Sequence, residues 1–152
     1  MRAALAVLVG IVLALVVQSG LDWLTSQFYP YDITNVWDRR QVSEAMASRP
    51  TPALLLTVLG YFLAALAGGV AAKRIWRRAW ACWVPAGVMA AIALLIAFSY
   101  PLAEWAWFAT FVAPLIGGLI ANHLVADRDF AEAPPPAARE PGAREPGADA
   151  SL

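Results

Sequence analysis

The amino-acid sequence predicts an all-α, polytopic membrane protein, a compact four-transmembrane-helix bundle with a disordered C-terminal tail. The first observation is composition: the 152-residue chain is 61% hydrophobic and 14% charged, whereas soluble domains carry about 25% charged residues. The second is a recurrence of long apolar runs, since about 20 helical residues cross the hydrocarbon core. The predicted spans are residues 3–22, 53–72, 79–100 and 102–126, which form one transmembrane domain over residues 1–126.

The first run, residues 3–22, has two interpretations. Because it follows Met1-Arg2, it resembles a secretory signal peptide, and cleavage after Ser19 or Gly20 would leave three spans. We favour a retained helix, because the apolar character continues to Leu24, past the end of a typical signal-peptide core. This helix also has a face of small residues, which is typical of helix packing in membranes. That face is Ala6, Gly10 and Ala14.

The next element is a loop over residues 23–52, which we expect on the exterior side. It carries acidic and basic residues in similar numbers. Residues 38–46 (DRRQVSEAM) predict a short surface helix, which the segment from Ser48 to Pro52 ends. Pro52 suits the first turn of the following span, where its missing N–H costs nothing.

The later spans also present small residues at helical spacing. Apolar side chains gain little by leaving lipid for a neighbouring helix, so close backbone approach drives helix association in membranes. We therefore predict that the second and fourth spans pack through such residues. These are Gly60, Ala64 and Gly68 in the second span and Gly117 in the fourth.

A basic loop separates the second and third spans and indicates the orientation. It holds Lys73, Arg74, Arg77 and Arg78 and no acid. Short loops rich in Lys and Arg stay in the cytoplasm, so both termini are predicted to be cytoplasmic. The same four side chains are the candidate contact for anionic lipid head groups.

The composition changes after the last span. Residues 127–152 are rich in Pro and Ala, and the pentapeptide AREPG occurs at 138–142 and again at 143–147. Such a segment has too little apolar surface to offset the entropy of folding. We predict a disordered cytoplasmic tail.

Few polar residues lie within or beside the spans. Asp22 and Glu104 fall at similar depth at the outer face, and in a compact bundle they would converge with Gln18, one turn deeper, and with the deeper Tyr61. These four residues form a candidate polar cluster. Two nearby carboxylates would bind a cation or share a proton; the alternative is that both simply reach water. The sequence shows no catalytic, nucleotide or metal-binding motif, so we expect no cofactor and no metal site. The formal net charge of zero gives no reason to expect nucleic acid as a partner.

Several short motifs resemble a family of small bacterial four-span inner-membrane proteins. They are Tyr29-Pro30, RPTPAL at 49–54, GYFLAALAGG at 60–69, YPLAEW at 100–105, and Pro114 with Gly117 and Gly118. The resemblance covers about residues 1–126. It implies the four-span fold and the inner membrane, and it implies no activity.

Three functions are compatible with these features. The leading expectation is a non-enzymatic accessory or scaffold protein that acts through helix and loop contacts with membrane lipids, other membrane proteins or further copies of itself. The alternative is a small oligomeric transporter or channel subunit that uses the outer-face polar cluster. The second alternative is an intramembrane enzyme acting on a lipid or quinone, with Glu104 or Asp22 beside Tyr61.

Overall fold

The computed structural model describes residues 2–30, 33, 37–100 and 103–125, and this part of the chain contains helices and no strands. Four of the helices are long and apolar enough to cross a membrane. The predicted all-α fold class, with four membrane-spanning helices, is therefore confirmed, and the predicted tail lies outside the described residues. The helices are α1 (Arg2–Phe28), α2 (Arg39–Ala47), α3 (Thr51–Trp76), α4 (Trp80–Ser99) and α5 (Glu104–Leu124).

Two spanning helices extend further than the apolar runs that predicted them. Helix α1 continues past Asp22 to Phe28, since the carboxylate of Asp22 bonds within its own helix and the next helix breaker is Pro30. Helix α3 continues to Trp76 through part of the basic loop. It ends at Arg77, whose backbone is left-handed with φ 52°.

Helix α3 is the central element of the bundle. It packs against α1, α4 and α5, and α4 in turn packs against α1 and α5, whereas α1 and α5 do not touch. We call the end where α1 finishes and α3 begins the loop end, because α2 lies there. The opposite end, where α3 and α5 finish, is the basic end.

Small residues bring the helix backbones together. A β-carbon added at Gly68 of α3 would lie 2.5 Å from the carbonyl oxygen of Gly10 in α1. At Gly117 of α5 it would lie 2.5 Å from the carbonyl oxygen of Phe62. Glycine is therefore required at both contacts. Ala64, one turn before Gly68 on α3, is fully buried in the core.

The short helix predicted at residues 38–46 is α2, which lies outside the bundle core. Its N-cap is Asp38, whose carboxylate accepts a hydrogen bond of 3.0 Å from the backbone N–H of Arg40. The outward faces of the spanning helices are apolar, as contact with lipid requires. Exposed large side chains on these faces include Leu5, Leu8, Val16, Leu95, Phe98 and Phe108.

Candidate functional site

A cavity of about 240 Å³ opens at the loop end of the bundle. All four spanning helices contribute to its wall, together with the segment around α2. Its lining includes both polar and apolar side chains. The polar residues are Gln18, Asp22, Arg49, Thr57, Tyr61 and Thr110, and the apolar residues are Ile33, Ala45, Met46, Leu54 and Ile96.

Gln18 and Asp22 stand one turn apart on α1 and are directly bonded. The Nε2 atom of Gln18 donates to both carboxylate oxygens of Asp22, at 3.2 and 3.1 Å. Only 7% of Gln18 is exposed, whereas Asp22 stays exposed at the mouth of the cavity. The Oε1 atom of Gln18 is buried and has no hydrogen-bond partner within the described part of the chain. An unsatisfied buried acceptor is costly, so this atom is available for a donor.

Gly60 of α3 makes room for the Gln18 side chain. A β-carbon at this position would lie 3.0 Å from Oε1 of Gln18. Part of the small-residue face predicted on α3 therefore serves the cavity, since Gly60 accommodates a polar side chain of α1 and Gly68 accommodates its backbone.

Arg49 reaches the cavity from the segment between α2 and α3. Its Nη1 atom donates to Oγ1 of Thr57 at 3.1 Å, and that hydroxyl donates to the carbonyl oxygen of Ala53 at 3.1 Å. Burial lowers the pKa of the Arg49 guanidinium, and the nearby Asp22 and Tyr61 side chains act in the opposite direction. Arginine remains protonated throughout the ordinary pH range. The cavity therefore combines one positive and one negative charge.

Tyr61 lies at the floor of the cavity and is 4% exposed. It also belongs to the apolar core, where buried side chains of all four spanning helices meet. The cavity therefore ends on packed side chains within this chain. The other buried members of that core are Ala14, Ala64, Met89, Ala93 and Ala113.

Three of the four residues predicted for an outer-face cluster line this cavity, namely Gln18, Asp22 and Tyr61. Glu104 does not line it and is exposed at the start of α5. Helix α5 contributes Thr110 instead. Thr110 follows Glu104 by six residues, which places the two side chains about 120° apart around the helix axis. Among the residues that line the cavity, Asp22 is therefore near the guanidinium of Arg49 and not beside Glu104.

Sequence reasoning missed Arg49, Thr57 and Thr110. Thr57 carried a usable signal, because it precedes Tyr61 by four residues and so shares its helix face. Arg49 lies outside the spans, and the sequence does not reveal the hydrogen bond to Thr57 that holds its side chain at the cavity. Thr110 donates to the carbonyl oxygen of Ala106 at 2.6 Å, as threonines in many helices do.

A wider, open depression of about 680 Å³ adjoins the cavity between the end of α1 and helix α2. Ala45 and Arg49 line both spaces. The loop end therefore presents a continuous recessed surface. The remaining residues of the depression are Phe28, Tyr29, Pro30, Gln41, Glu44, Ser48 and Pro50.

At the basic end, the structure corrects the position of Lys73. This residue was predicted to contact anionic lipid together with Arg74, Arg77 and Arg78, yet it is only 1% exposed. Its Nζ atom donates to the carbonyl oxygen of Asn122 at 2.6 Å and to Oδ1 of the same residue at 2.8 Å. The last carbonyls of a helix lack partners in that helix and favour positive charge. Lys73 therefore caps α5, and the three arginines stay exposed.

Within the described residues, no group of three His, Cys, Asp or Glu side chains lies close enough to hold a metal ion. Cys82, near Lys73, is buried and donates to the carbonyl oxygen of Ala79 at 2.9 Å. Comparisons with protein-family models, curated proteins and solved structures found no match to this chain. The family resemblance drawn from the sequence therefore stays a prediction.

Proposed function

We propose that this chain is a non-enzymatic accessory protein of a bacterial inner membrane that receives a partner protein at its loop end. The observation that carries this proposal is the convergence of polar side chains from three spanning helices, with Arg49, on one cavity. Polar groups in membrane helices are costly and face the bundle interior when they serve a function. Binding of a partner at this cavity would explain why these polar side chains are present in the spanning helices.

The lining of the cavity suits an occupant that carries a polar group next to apolar surface. The charges of Asp22 and Arg49 balance, so an occupant of high net charge gains little. Oε1 of Gln18 needs a donor, and Leu54 and Ile96 offer apolar contact. An amide or hydroxyl side chain on a partner segment resting in the adjoining depression meets both requirements.

The lining favours binding over catalysis. It contains no His, Cys, Ser or Lys among the described residues. Its carboxylate, Asp22, already accepts from Gln18 and lies near Arg49. Nucleophilic catalysis needs a nucleophile activated by an adjacent base, and these residues do not supply one.

A transporter or channel subunit would also use a polar cavity, so it remains the alternative. Tyr61 belongs to the apolar core in which buried side chains of all four spanning helices meet, and this packing speaks against a pore through one chain. Two of the small residues also pack within the single chain, since Gly68 contacts α1 and Gly117 contacts α3. These features support an accessory role and would require any pore to form between protomers.

The proposed orientation places the loop end outside and the basic end in the cytoplasm. Its support is the charge of the segment between α3 and α4, where Arg74, Arg77 and Arg78 are exposed. Positively charged short loops are retained in the cytoplasm. A partner would then approach the cavity from the exterior side.

Site-specific photo-crosslinking in cells tests the proposal. A photoreactive amino acid at Ala45, on the wall of the cavity, should give one protein adduct of defined mass, identifiable by mass spectrometry. The matched control is Leu95, which is 68% exposed on the lipid-facing side of α4. Asp22→Asn should abolish the Ala45 adduct. Absence of an adduct at Ala45, or the same adduct at Leu95, would contradict the proposal.

A flux measurement separates the accessory role from the transporter alternative. Vesicles containing the purified protein should be no more permeable to monovalent cations than protein-free vesicles. Cation flux that depends on Asp22, and is lost in Asp22→Asn, would move the assignment to transport.

A further inference from the structure

Two exposed arginines flank a recess at the basic end of the bundle. Arg74 and Arg77 come from the end of α3, and Leu124 and Val125 come from the end of α5. The recess has a volume of about 420 Å³. It lies at the end of the bundle opposite the cavity, so a ligand bound there would not depend on the function proposed for the loop end.

Neither arginine is neutralised by the part of the protein that the structure describes. The ion pair found there joins Arg40 to Glu44 on α2, at the other end of the molecule. Each guanidinium carries five N–H donors in a planar fork. Arg74 and Arg77 therefore present two sets of donors to whatever enters the recess.

The walls of the recess are tied together by a buried bond. Nζ of Lys73, the neighbour of Arg74 in sequence, holds the carbonyl oxygen of Asn122 near the end of α5. The backbone N–H of Arg77 also bonds the carbonyl oxygen of Lys73 at 2.6 Å, which closes α3 in a left-handed turn. The backbones that carry the two arginines and the last residues of α5 are therefore held at a fixed spacing, and a preorganised site loses less entropy on binding.

The lining specifies the chemical class of the ligand. Guanidinium groups bind phosphate oxygens through paired hydrogen bonds, and they do so better than ammonium groups. Leu124 is 66% exposed and Val125 is half-buried, so apolar contact is available beside the charges. Inorganic phosphate would leave this apolar surface unused, whereas a phospholipid would cover it.

We propose that Arg74, Arg77, Leu124 and Val125 form a binding site for the phosphodiester head group of an anionic phospholipid. The arginines hold the phosphate oxygens, and the two aliphatic side chains contact the glycerol and upper acyl region. Lys73 supports the site from within, because it positions the end of α5 and does not touch the ligand.

The test measures lipid binding to the full-length protein in a neutral detergent by native mass spectrometry and by thermal unfolding. Phosphatidylglycerol should bind and raise the unfolding temperature, whereas phosphatidylcholine should not. Arg74→Gln and Arg77→Gln should each weaken phosphatidylglycerol binding by about tenfold, the loss expected for one paired charge-assisted contact. Arg78→Gln removes a neighbouring exposed arginine that does not line the recess, and it should change binding by less than about twofold.

Three outcomes would overturn the proposal. Equal weakening by Arg78→Gln and Arg74→Gln would show only a diffuse attraction to positive charge. Equal binding of phosphatidylcholine would remove the requirement for an anionic lipid. An equal rise of the unfolding temperature with inorganic phosphate would assign the site to the free ion. If Arg77→Gln fails to fold, the result for Arg74→Gln alone tests the proposal. Arg74 is exposed and lies within a helix, so its substitution should not prevent folding.

Discussion

Gly10 of α1 and Gly68 of α3 face each other so closely that neither position accepts a side chain. A β-carbon at Gly10 would lie 2.7 Å from the carbonyl oxygen of Gly68, and one at Gly68 would lie 2.5 Å from that of Gly10. Pro85 of α4 also approaches this contact, at 2.9 Å from a β-carbon on Gly10. Three helices therefore meet around one pair of glycines.

Gly68→Leu should destabilise the bundle by about 1–3 kcal/mol, because the backbones of α1 and α3 must separate to admit the side chain. The measurement is the unfolding temperature in detergent at matched expression. The control is Gly87→Leu on α4, where an added β-carbon has no neighbour within 4 Å. Equal unfolding temperatures for the two variants would refute the close contact between α1 and α3.

Gln18→Leu should keep or raise the stability of the protein while abolishing the crosslink at Ala45. The substitution removes the buried Oε1 atom that lacks a partner, and replacing an unsatisfied polar group by an apolar one is often neutral or stabilising. Asp22 loses a donor but remains exposed to solvent. Thermal unfolding and crosslinking of the same preparation provide the comparison. A fall in stability as large as that of Gly68→Leu would show that Gln18 serves the fold and not the site.

Lys73→Met should destabilise the protein by about 1.5–3 kcal/mol, the range for a hydrogen bond to a charged group. The variant keeps a long side chain but leaves the carbonyl oxygen of Asn122 without its cap. Hydrogen exchange should rise in the last turn of α5 and stay unchanged in the middle of α3. Arg74→Met removes an exposed charge one residue away, and its effect should stay within about 0.5 kcal/mol. Equal effects of the two substitutions would argue against a capping role for Lys73.

Arg77→Gly should stabilise the lipid-free protein by about 1 kcal/mol, because the left-handed backbone brings a β-carbon too close to the following carbonyl oxygen. Arg77 has a φ of 52°, a conformation that glycine adopts without the steric cost of a β-carbon. The same variant should lose phosphatidylglycerol binding, so stability and binding should change in opposite directions. Arg78→Gly is the control and should not stabilise the protein. Among the described non-glycine residues, positive φ is found at Arg77 and not at Arg78. Destabilisation by Arg77→Gly would mean that its side chain supports the fold.

The loop end should be accessible from outside the cell and the basic end from the cytoplasm. In a Cys82→Ala background, which removes the native thiol, Ser48→Cys should react with a membrane-impermeant maleimide in intact cells. Arg78→Cys should react only after the cells are lysed. Both positions are exposed, so burial does not explain a difference. The reverse labelling pattern would invert the proposed orientation.

Only part of the polar cavity could be predicted from the sequence. Gln18 and Asp22 share a face of one helix, and helical periodicity alone relates them. Arg49 precedes α3 in the sequence, and it joins them through the hydrogen bond of its guanidinium to Thr57. Glu104 has the depth of a cluster member but the wrong angle around α5, and the rotation of a helix about its axis depends on all of its neighbours.

By itself, the sequence determined that the protein has four helices able to span a membrane and which helix faces carry small residues. Both follow from composition and helical period, which are local properties of the chain. Only the tertiary structure decided that Gly68 meets Gly10, that Lys73 turns inward to cap α5, and that Asp22 shares its cavity with Arg49 and not with Glu104. Each of these depends on the rotation and depth of one helix against another. In lipid, close packing and a few interhelical hydrogen bonds select that arrangement, and no single segment contains the information for it.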